Sequence, residues 1–260
     1  MTTTTAFDYR LRPRLAGRAA LGLLALSTDA TIEAEWRALL DLDGVEFYTG
    51  RVRAEAEVNP DNLRGMAARL GDSAASLLPG QRLDVIAYGC TSASMLIGEE
   101  AVAAALRAVH PQARVSTPIT AAKTALGALG ARRVALLTPY IDAINQSMRE
   151  HLEGAGFAVP SMGSFLNGQD PQVVRIEPAS IAAAARDLLA EQPVDALFIA
   201  CTALRGAALV PALEDQLGVA ATTSNHAMAW HALRLAGIGD ALSGRGRLFG
   251  EPLPMPLDAG

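Results

Sequence analysis

Short apolar runs alternate with amphipathic, alanine-rich segments along almost the whole chain. The apolar runs predict eight β-strands, at residues 20–27, 45–52, 83–89, 113–116, 134–138, 157–162, 196–200 and 219–222. The segments between them space their apolar positions three and four residues apart, and predict helices that include residues 31–42, 62–78, 180–191 and 205–217. Alternation of helices with strands that are apolar throughout is typical of an α/β fold with buried parallel sheets.

The chain also repeats itself. Residues 84–91 (DVIAYGCT) match residues 195–202 (DALFIACT), and the same offset of 111 positions lays residues 23–29 over residues 134–140. We therefore predict two pseudo-symmetric α/β halves, each a parallel four-stranded sheet flanked by helices, with the active site in the cleft between them. The predicted halves are residues 18–130 and 131–250, and residues 1–17 and 251–260 are expected to be flexible tails.

Composition narrows the function. The 260 residues carry a net charge of −5, which argues against a nucleic-acid partner because such proteins usually present a basic face. No apolar run approaches the roughly 20 residues that span a bilayer, so no membrane partner is expected. Four arginines before residues 19–26 resemble the start of a secretion signal. Recurrence of that stretch within the repeat favours a buried strand instead, and the cytoplasm is the expected compartment.

The only two cysteines, Cys90 and Cys201, occupy equivalent positions in the repeat. Each follows an apolar strand, and ligands of open α/β sheets bind beyond the carboxyl ends of the strands. We therefore predict that the two thiols face each other across the cleft as a catalytic pair. The alternative is that both are small buried packing residues, which is the usual role of a free cysteine.

Hydroxyl groups accompany both cysteines. Thr91 and Ser92 follow Cys90 near a predicted helix start, where hydroxyls and backbone N–H groups suit a carboxylate, and Thr202 follows Cys201. Asp29 ends the first strand, and could bind a cationic group, orient a thiol or simply cap the next helix. Tyr140 stands at the equivalent place in the second half, and could donate its hydroxyl to a carboxylate or only pack.

Other chemistry finds little support in the sequence. His226 and His231 stand five residues apart on a predicted helix and are interpreted as packing or surface residues, with His226 a weaker candidate for the cleft. No metal-ligand spacing, nucleotide loop or serine-hydrolase elbow is present. No cofactor and no metal are therefore expected.

These segments resemble the aspartate/glutamate racemase superfamily, and in particular maleate cis-trans isomerases and arylmalonate decarboxylases. The resemblance covers about residues 17–249 and is carried by residues 21–33 (LGLLALSTDATIE), 134–145 (VALLTPYIDAIN) and 244–249 (GRGRLF) together with the two cysteine segments. It implies a cofactor-free fold with one cysteine on each side of the cleft. It also implies that Thr91, Ser92, Tyr140 and Asn145 bind a substrate carboxylate.

Two departures refine this resemblance. Arylmalonate decarboxylases have Gly where Cys90 stands, so a chain with both cysteines resembles the isomerases and racemases more. Maleate isomerases have Asn in place of Asp29 and near Asp170, and added negative charge disfavours a bare dicarboxylate. An amino-acid-like substrate, as among ectoine-degradation proteins, is therefore the alternative to a maleate-like acid.

The leading hypothesis is a cofactor-independent two-cysteine isomerase or racemase that acts on a small carboxylic acid. Racemisation would use one thiolate to remove a proton and the other thiol to return one. Cis-trans isomerisation would instead add Cys90 to a double bond while Cys201 protonates the adjacent carbon. A two-lobed binding protein and a redox protein with a reversible disulfide are the other classes considered, and a homo-oligomer is expected.

Overall fold

The computed structural model describes residues 4–254, which form two parallel four-stranded sheets. The first sheet has the strand order β2-β1-β3-β4 and the second the order β6-β5-β7-β8, so the two sheets share one topology. In chain order the strands are β1 (Ala19–Leu26), β2 (Val45–Val52), β3 (Val85–Gly89), β4 (Arg114–Ser116), β5 (Arg133–Thr138), β6 (Ala158–Ser164), β7 (Ala196–Ile199) and β8 (Ala220–Thr223). The predicted fold class is confirmed, and no predicted strand end is displaced by more than two residues.

Helices connect the strands and cover the sheets. They are α1 (Ile32–Leu39), α2 (Pro60–Gly65), α3 (Leu70–Ala75), α4 (Thr91–Ile97), α5 (Glu99–Val109), α6 (Pro118–Ala128), α7 (Asp142–Gly154), α8 (Asp170–Val173), α9 (Pro178–Glu191), α10 (Val210–Leu217) and α11 (Ser224–Leu235). Short 3₁₀ helices occupy Met66–Arg69, Ala207–Leu209 and Arg247–Gly250. The prediction of one continuous helix over 62–78 is wrong, because a 3₁₀ turn follows Gly65, a residue of low helix propensity.

The central strands are buried on both faces, as their composition predicts. Every residue of β1 and β3 is buried, which confirms that residues 19–26 form a core strand. Close packing leaves no room at Gly89, where a Cβ atom would lie 2.8 Å from Cδ1 of Ile32. The last residue of β3 is thus fixed immediately before Cys90.

An aspartate shared by the two repeats fixes the start of each central strand pair. Asp84 accepts a hydrogen bond from the backbone N–H of Ala20 and forms an ion pair with Arg14. Asp195, its equivalent, accepts from the backbone N–H groups of Arg132 and Arg133, both at 2.8 Å. These contacts explain why the repeat conserves its first residue between the two halves of this chain.

Helix α11 packs across the junction of the two sheets. It contacts α6, α1 and β3 of the first sheet as well as β8 of its own, and its side chains, including Trp230, are buried. Over residues 4–254, no helix combines the length and the apolar content that crossing a membrane requires. The limits predicted for the two halves and for the tails stay predictions, although Arg14 and the buried Ala16 contact the first sheet.

Candidate active site

The carboxyl ends of the central strands meet around one cavity. Seven of the eight side chains predicted for the site line it: Asp29, Cys90, Thr91, Ser92, Tyr140, Cys201 and Thr202. The other lining residues are Leu26, Val58, Leu63, Asp170 and Ala203. The topology explains this arrangement, because parallel strands deliver their last residues to the same edge of a sheet.

Cys90 lies at the junction of β3 and α4. Its backbone is extended, with φ −146° and ψ 115°, and its carbonyl accepts the N–H of Ser94. The Cys90 sulfur lies 3.9 Å from the Ser92 hydroxyl oxygen. The side chain is therefore held at the start of the helix and beside a hydroxyl donor.

Cys201 has an unusual backbone conformation. Its φ of +113° lies in the left-handed half of the map, which non-glycine residues rarely adopt. Such strain persists only where surrounding contacts hold it, and it is frequent at active sites. Here the Cys201 N–H donates to Oγ of Ser224 at 3.0 Å, and the next hydroxyl, of Thr202, donates to the Gly89 carbonyl at 3.3 Å.

Ser224 joins the two cysteine loops. The Thr91 hydroxyl donates to Ser224 Oγ at 2.8 Å, and the same oxygen accepts the N–H of Cys201. Sequence reasoning missed this residue, since its only signal is its position directly after β8. Ser224 fixes the loop that follows Cys90 relative to the loop that contains Cys201.

Both thiols are free and neutral in the empty cavity. Burial raises the pKa of Cys90 to about 12, although the backbone N–H of Ala93 opposes that shift. Burial likewise raises the pKa of Cys201 well above its usual value, and the nearby carboxylate of Asp170 raises it further. A thiolate must therefore form only when something else in the cavity stabilises it.

Asp29 uses its two carboxylate oxygens differently. Oδ1 accepts the backbone N–H groups of Thr31 at 2.7 Å and Ile32 at 2.9 Å, and so caps the start of α1. Oδ2 is buried and has no hydrogen-bond partner among the described residues. Capping and facing the cavity are thus compatible. Burial raises the pKa of this carboxyl, and the two N–H groups oppose the rise.

Tyr140 is buried beside both thiols, and burial, followed by the charge of a Cys201 thiolate, raises the pKa of its hydroxyl well above the usual value. Asn145 does not line the cavity. Its amide oxygen accepts the Thr138 hydroxyl, and its amide N–H donates to the Tyr140 carbonyl at 2.8 Å. Because both ends of the amide are used in this way, Asn145 positions the Tyr140 loop.

Two segments close the cavity from opposite halves. The Val58 N–H donates to the Gly168 carbonyl at 2.8 Å, and the Asp170 N–H donates to the Ala56 carbonyl at 3.0 Å. We call this antiparallel pairing of residues 56–58 with residues 168–170 the clasp. The cavity beneath it measures about 20 Å³, which is room for about one water molecule. The structure is therefore a closed form that must open to admit a substrate.

The remaining sequence candidates lie elsewhere. His226 is buried between Thr222 and the Arg245 carbonyl, and His231 contacts Ser116, so neither lines the cavity. Burial lowers the pKa of both imidazoles to about 4, which keeps them neutral at pH 7. In residues 4–254, no three His, Cys, Asp or Glu side chains are grouped so as to hold a metal ion.

Asp170 is a site residue that sequence reasoning noticed only as a charge. It starts α8, faces the cavity beside Asp29 and accepts the Thr28 hydroxyl at 2.7 Å. The repeat offset of 111 relates it to Asn59, which begins the equivalent helix α2. That equivalence was the available signal for it.

Two opposed thiols at the carboxyl ends of two equivalent parallel sheets define a class of enzyme that works on both faces of one small substrate. The arylmalonate decarboxylase family model matches residues 38–249. The chain belongs to that family, as its cysteine segments indicated.

Individual relatives agree with this assignment. The maleate isomerase of Nocardia farcinica is 32% identical over 240 residues, which cover 88% of this chain and 94% of that protein. The arylmalonate decarboxylase of Bordetella bronchiseptica is 34% identical over 138 residues, 52% of this chain and 58% of that protein.

One solved structure resembles the chain closely in fold. It is a Cys-to-Ser variant of the Nocardia farcinica maleate cis-trans isomerase with a covalently bound succinylcysteine intermediate. It is 30% identical, covers 89% of this chain and 98% of its own, and superposes with a TM-score of 0.81. Together, the two cysteines and these relatives identify the chain as a two-cysteine isomerase.

Proposed function

We propose that this protein interconverts the cis and trans forms of a small unsaturated carboxylic acid without a cofactor, through a covalent bond to one cysteine. The observation that carries the proposal is that Cys90 and Cys201 line one closed cavity from two equivalent strand ends. The succinylcysteine adduct of the Nocardia farcinica relative supports a cysteine that adds to carbon.

The reaction needs one nucleophile and one acid. The Cys90 thiolate adds to one carbon of the double bond, and the Cys201 thiol gives its proton to the other carbon. The former double bond is now single and rotates. Cys201 then removes a proton from the same carbon, the double bond re-forms in the trans geometry and Cys90 leaves as a thiolate. Atoms and charge balance, and both thiols return to their starting states.

The cavity supplies donors for the substrate carboxylate and for the charge that develops during addition. Thr91 and Thr202 already donate to Ser224 and to the Gly89 carbonyl. Ser92 and Tyr140 are therefore the hydroxyls best placed to donate to the substrate beside the thiols. Donors fixed in advance within a dry cavity are effective because they need no reorganisation during the reaction.

Racemisation is the second candidate, since the same pair of thiols could remove and return a proton on opposite faces of a carbon. The covalent adduct of the relative favours isomerisation across a double bond. A covalent intermediate therefore separates the two reactions.

Single serine variants test the proposal. Cys201→Ser and Cys90→Ser are incubated with maleate and other cis-2-enoic acids, and intact-protein mass spectrometry follows adducts while proton NMR follows isomerisation. We expect turnover to fall by about 10²–10⁴-fold in each variant. We also expect an adduct of substrate mass on Cys90 in Cys201→Ser only.

Succinate, which has no double bond, is the chemical control and should give no adduct. Wild-type turnover in both serine variants would overturn the proposal. Exchange of a carbon-bound proton with deuterated solvent in a saturated amino acid, without an adduct, would favour racemisation.

Two finer expectations belong to this proposal. The mechanism needs two reduced thiols, a state that the cytoplasm maintains, so we propose that compartment. A homo-oligomer is proposed with it, and sedimentation velocity of the purified protein measures that state directly.

A further inference from the structure

Two carboxylates from different halves face the cysteine cavity. Asp29 follows β1 and is 5% exposed, whereas Asp170 begins α8 and is 9% exposed. Asp170 accepts the hydroxyl of Thr28, the neighbour of Asp29 in the chain. The clasp thus brings Asp170 over to the strand end that carries Asp29.

One oxygen of this pair has no partner. Oδ1 of Asp29 is used by the N–H groups of Thr31 and Ile32, but Oδ2 is buried without a hydrogen bond among the described residues. A buried acceptor without a partner is unfavourable, and more so when it is charged. Since the residue lines the cavity, only a molecule inside the cavity can reach this oxygen.

No positive side chain faces these carboxylates among the residues that line the cavity. Arg51 lies nearby, but it donates to the carbonyls of Leu26 and Asp29 at 2.7 Å and pairs with Glu33. Its guanidinium therefore contacts the backbone behind the site and not the cavity. Two buried carboxylates so arranged require a cation to be bound between them.

From this geometry we infer that the substrate carries a positively charged group, an ammonium or amidinium, which binds at Asp29 and Asp170 while its carboxylate lies toward Ser92 and Tyr140. This inference rests on the proposed function, and it names the substrate class as zwitterionic unsaturated acids. A dianion such as maleate would bring a second negative charge against the two carboxylates.

The thiols give the same result from another direction. The carboxylates of Asp170 and Asp29 both add to the burial that raises the pKa of Cys90 and of Cys201. A cation between the carboxylates offsets their charge, and so lowers the pKa of the thiols once the substrate is bound. Binding and thiolate formation are thereby linked, and the empty enzyme keeps unreactive thiols.

A protonated carboxyl that donates to a second substrate carboxylate is the competing explanation, since burial raises the pKa of both aspartates. Asparagine separates the two, because it has the shape of aspartate and still donates a hydrogen bond but carries no charge. Asp29→Asn and Asp170→Asn therefore lose cation binding in one case and retain carboxylate binding in the other.

Isothermal titration calorimetry with two unreactive probes tests the charge preference without any chemistry. The probes are 4-aminobutanoate, which carries an ammonium group, and succinate, a dianion of similar length. We expect wild-type protein to bind 4-aminobutanoate at least about tenfold more tightly than succinate. We expect each asparagine variant to lose about tenfold or more for 4-aminobutanoate and to gain for succinate.

Asp187→Asn, at an exposed position on α9, is the matched control and should bind both probes as wild type does. Thermal melting checks that each variant is folded, and Asp170→Asn serves alone if Asp29→Asn is not. Tighter binding of succinate than of 4-aminobutanoate by wild type would overturn the inference. Absence of 4-aminobutanoate binding, or unchanged affinities in the folded asparagine variants, would do the same.

Turnover distinguishes failure of this inference from failure of the proposed function. Proton NMR compares cis-4-aminobut-2-enoate with maleate, and we expect the amino compound to be isomerised with the higher kcat/KM. Isomerisation of maleate with no preference for the amino compound leaves the proposed function standing and refutes the inference. Preferential binding of 4-aminobutanoate with no isomerisation of either acid supports the inference and refutes the proposed function.

Discussion

The Thr91 hydroxyl donates to Ser224 Oγ at 2.8 Å, across 133 positions of the sequence. The same oxygen accepts the N–H of Cys201, whose φ of +113° needs support from its surroundings. One serine side chain thus connects the residue after the first cysteine to the backbone of the second. The relative placement of the two thiols depends on this contact.

Replacing Ser224 by Ala should disturb catalysis more than folding. It leaves the Cys201 N–H and the Thr91 hydroxyl without their shared acceptor, which costs about 1–3 kcal/mol in the free energy of unfolding. We expect kcat to fall by about tenfold, equivalent to about 1.4 kcal/mol in the barrier. Urea unfolding and steady-state kinetics measure both, and Ser147→Ala on α7 is the exposed control. Unchanged kcat would remove Ser224 from the site.

Asn145→Ala should act through Tyr140. Loss of the amide frees the Tyr140 carbonyl and the Thr138 hydroxyl, so the loop that aims the tyrosine relaxes. We expect a KM increase of about five- to tenfold with a smaller change in kcat, and a stability loss of about 1–2 kcal/mol. Gln146→Ala, exposed on the same helix, is the control. Loss of stability with unchanged KM would show a purely structural role.

Val58→Ala should make the thiols more reactive toward reagents. Val58 forms part of the wall of a cavity of about 20 Å³, and its backbone pairs with the opposite half in the clasp. A smaller side chain admits iodoacetamide more often, and we expect alkylation of Cys90 and Cys201 to accelerate about three- to tenfold, measured by mass spectrometry. Val109→Ala, outside this cavity, should react at the wild-type rate. Equal rates in all three proteins would show that the clasp does not limit access.

Glu35 predicts a pH dependence of stability. Its carboxylate accepts the N–H of Ala207 and the amide of Asn225, and Asn225 also donates to the Thr202 carbonyl beside Cys201. Burial raises the pKa of Glu35 from 4.5 to about 7. Between those two pH values the folded protein binds more protons than the unfolded chain, so stability falls as pH rises through that window.

Glu35→Gln should remove this component of the pH dependence. Relative to wild type, we expect the variant to lose about 1–2 kcal/mol less unfolding free energy between pH 4.5 and pH 8. Chemical denaturation at both pH values measures the difference. Glu153→Gln, exposed at the end of α7, should follow the wild-type curve. A Glu35→Gln curve that coincides with wild type would contradict the raised pKa.

Sequence alone located the strands and the chemistry that lies in register with the repeat. The apolar runs predict the strands because buried parallel strands contain few polar residues. The offset of 111 then pairs Cys90 with Cys201, and Asp29 with Tyr140, at the strand ends that line the cavity. It did not predict the break between α2 and α3, because a local turn depends on how the segment packs and not on its periodicity alone.

Tertiary structure decided the contacts between distant segments. Nothing local to Ser224 indicates that its hydroxyl joins both cysteine loops, and nothing local to Asn145 shows that its amide is used within the Tyr140 loop. The clasp, the position of Asp170 beside Asp29 and the unpartnered oxygen of Asp29 likewise depend on how the two sheets lie against each other. Periodicity records which residues are buried along one segment, whereas hydrogen bonds and charge pairs are set by distances between segments, and those exist only once the chain has folded.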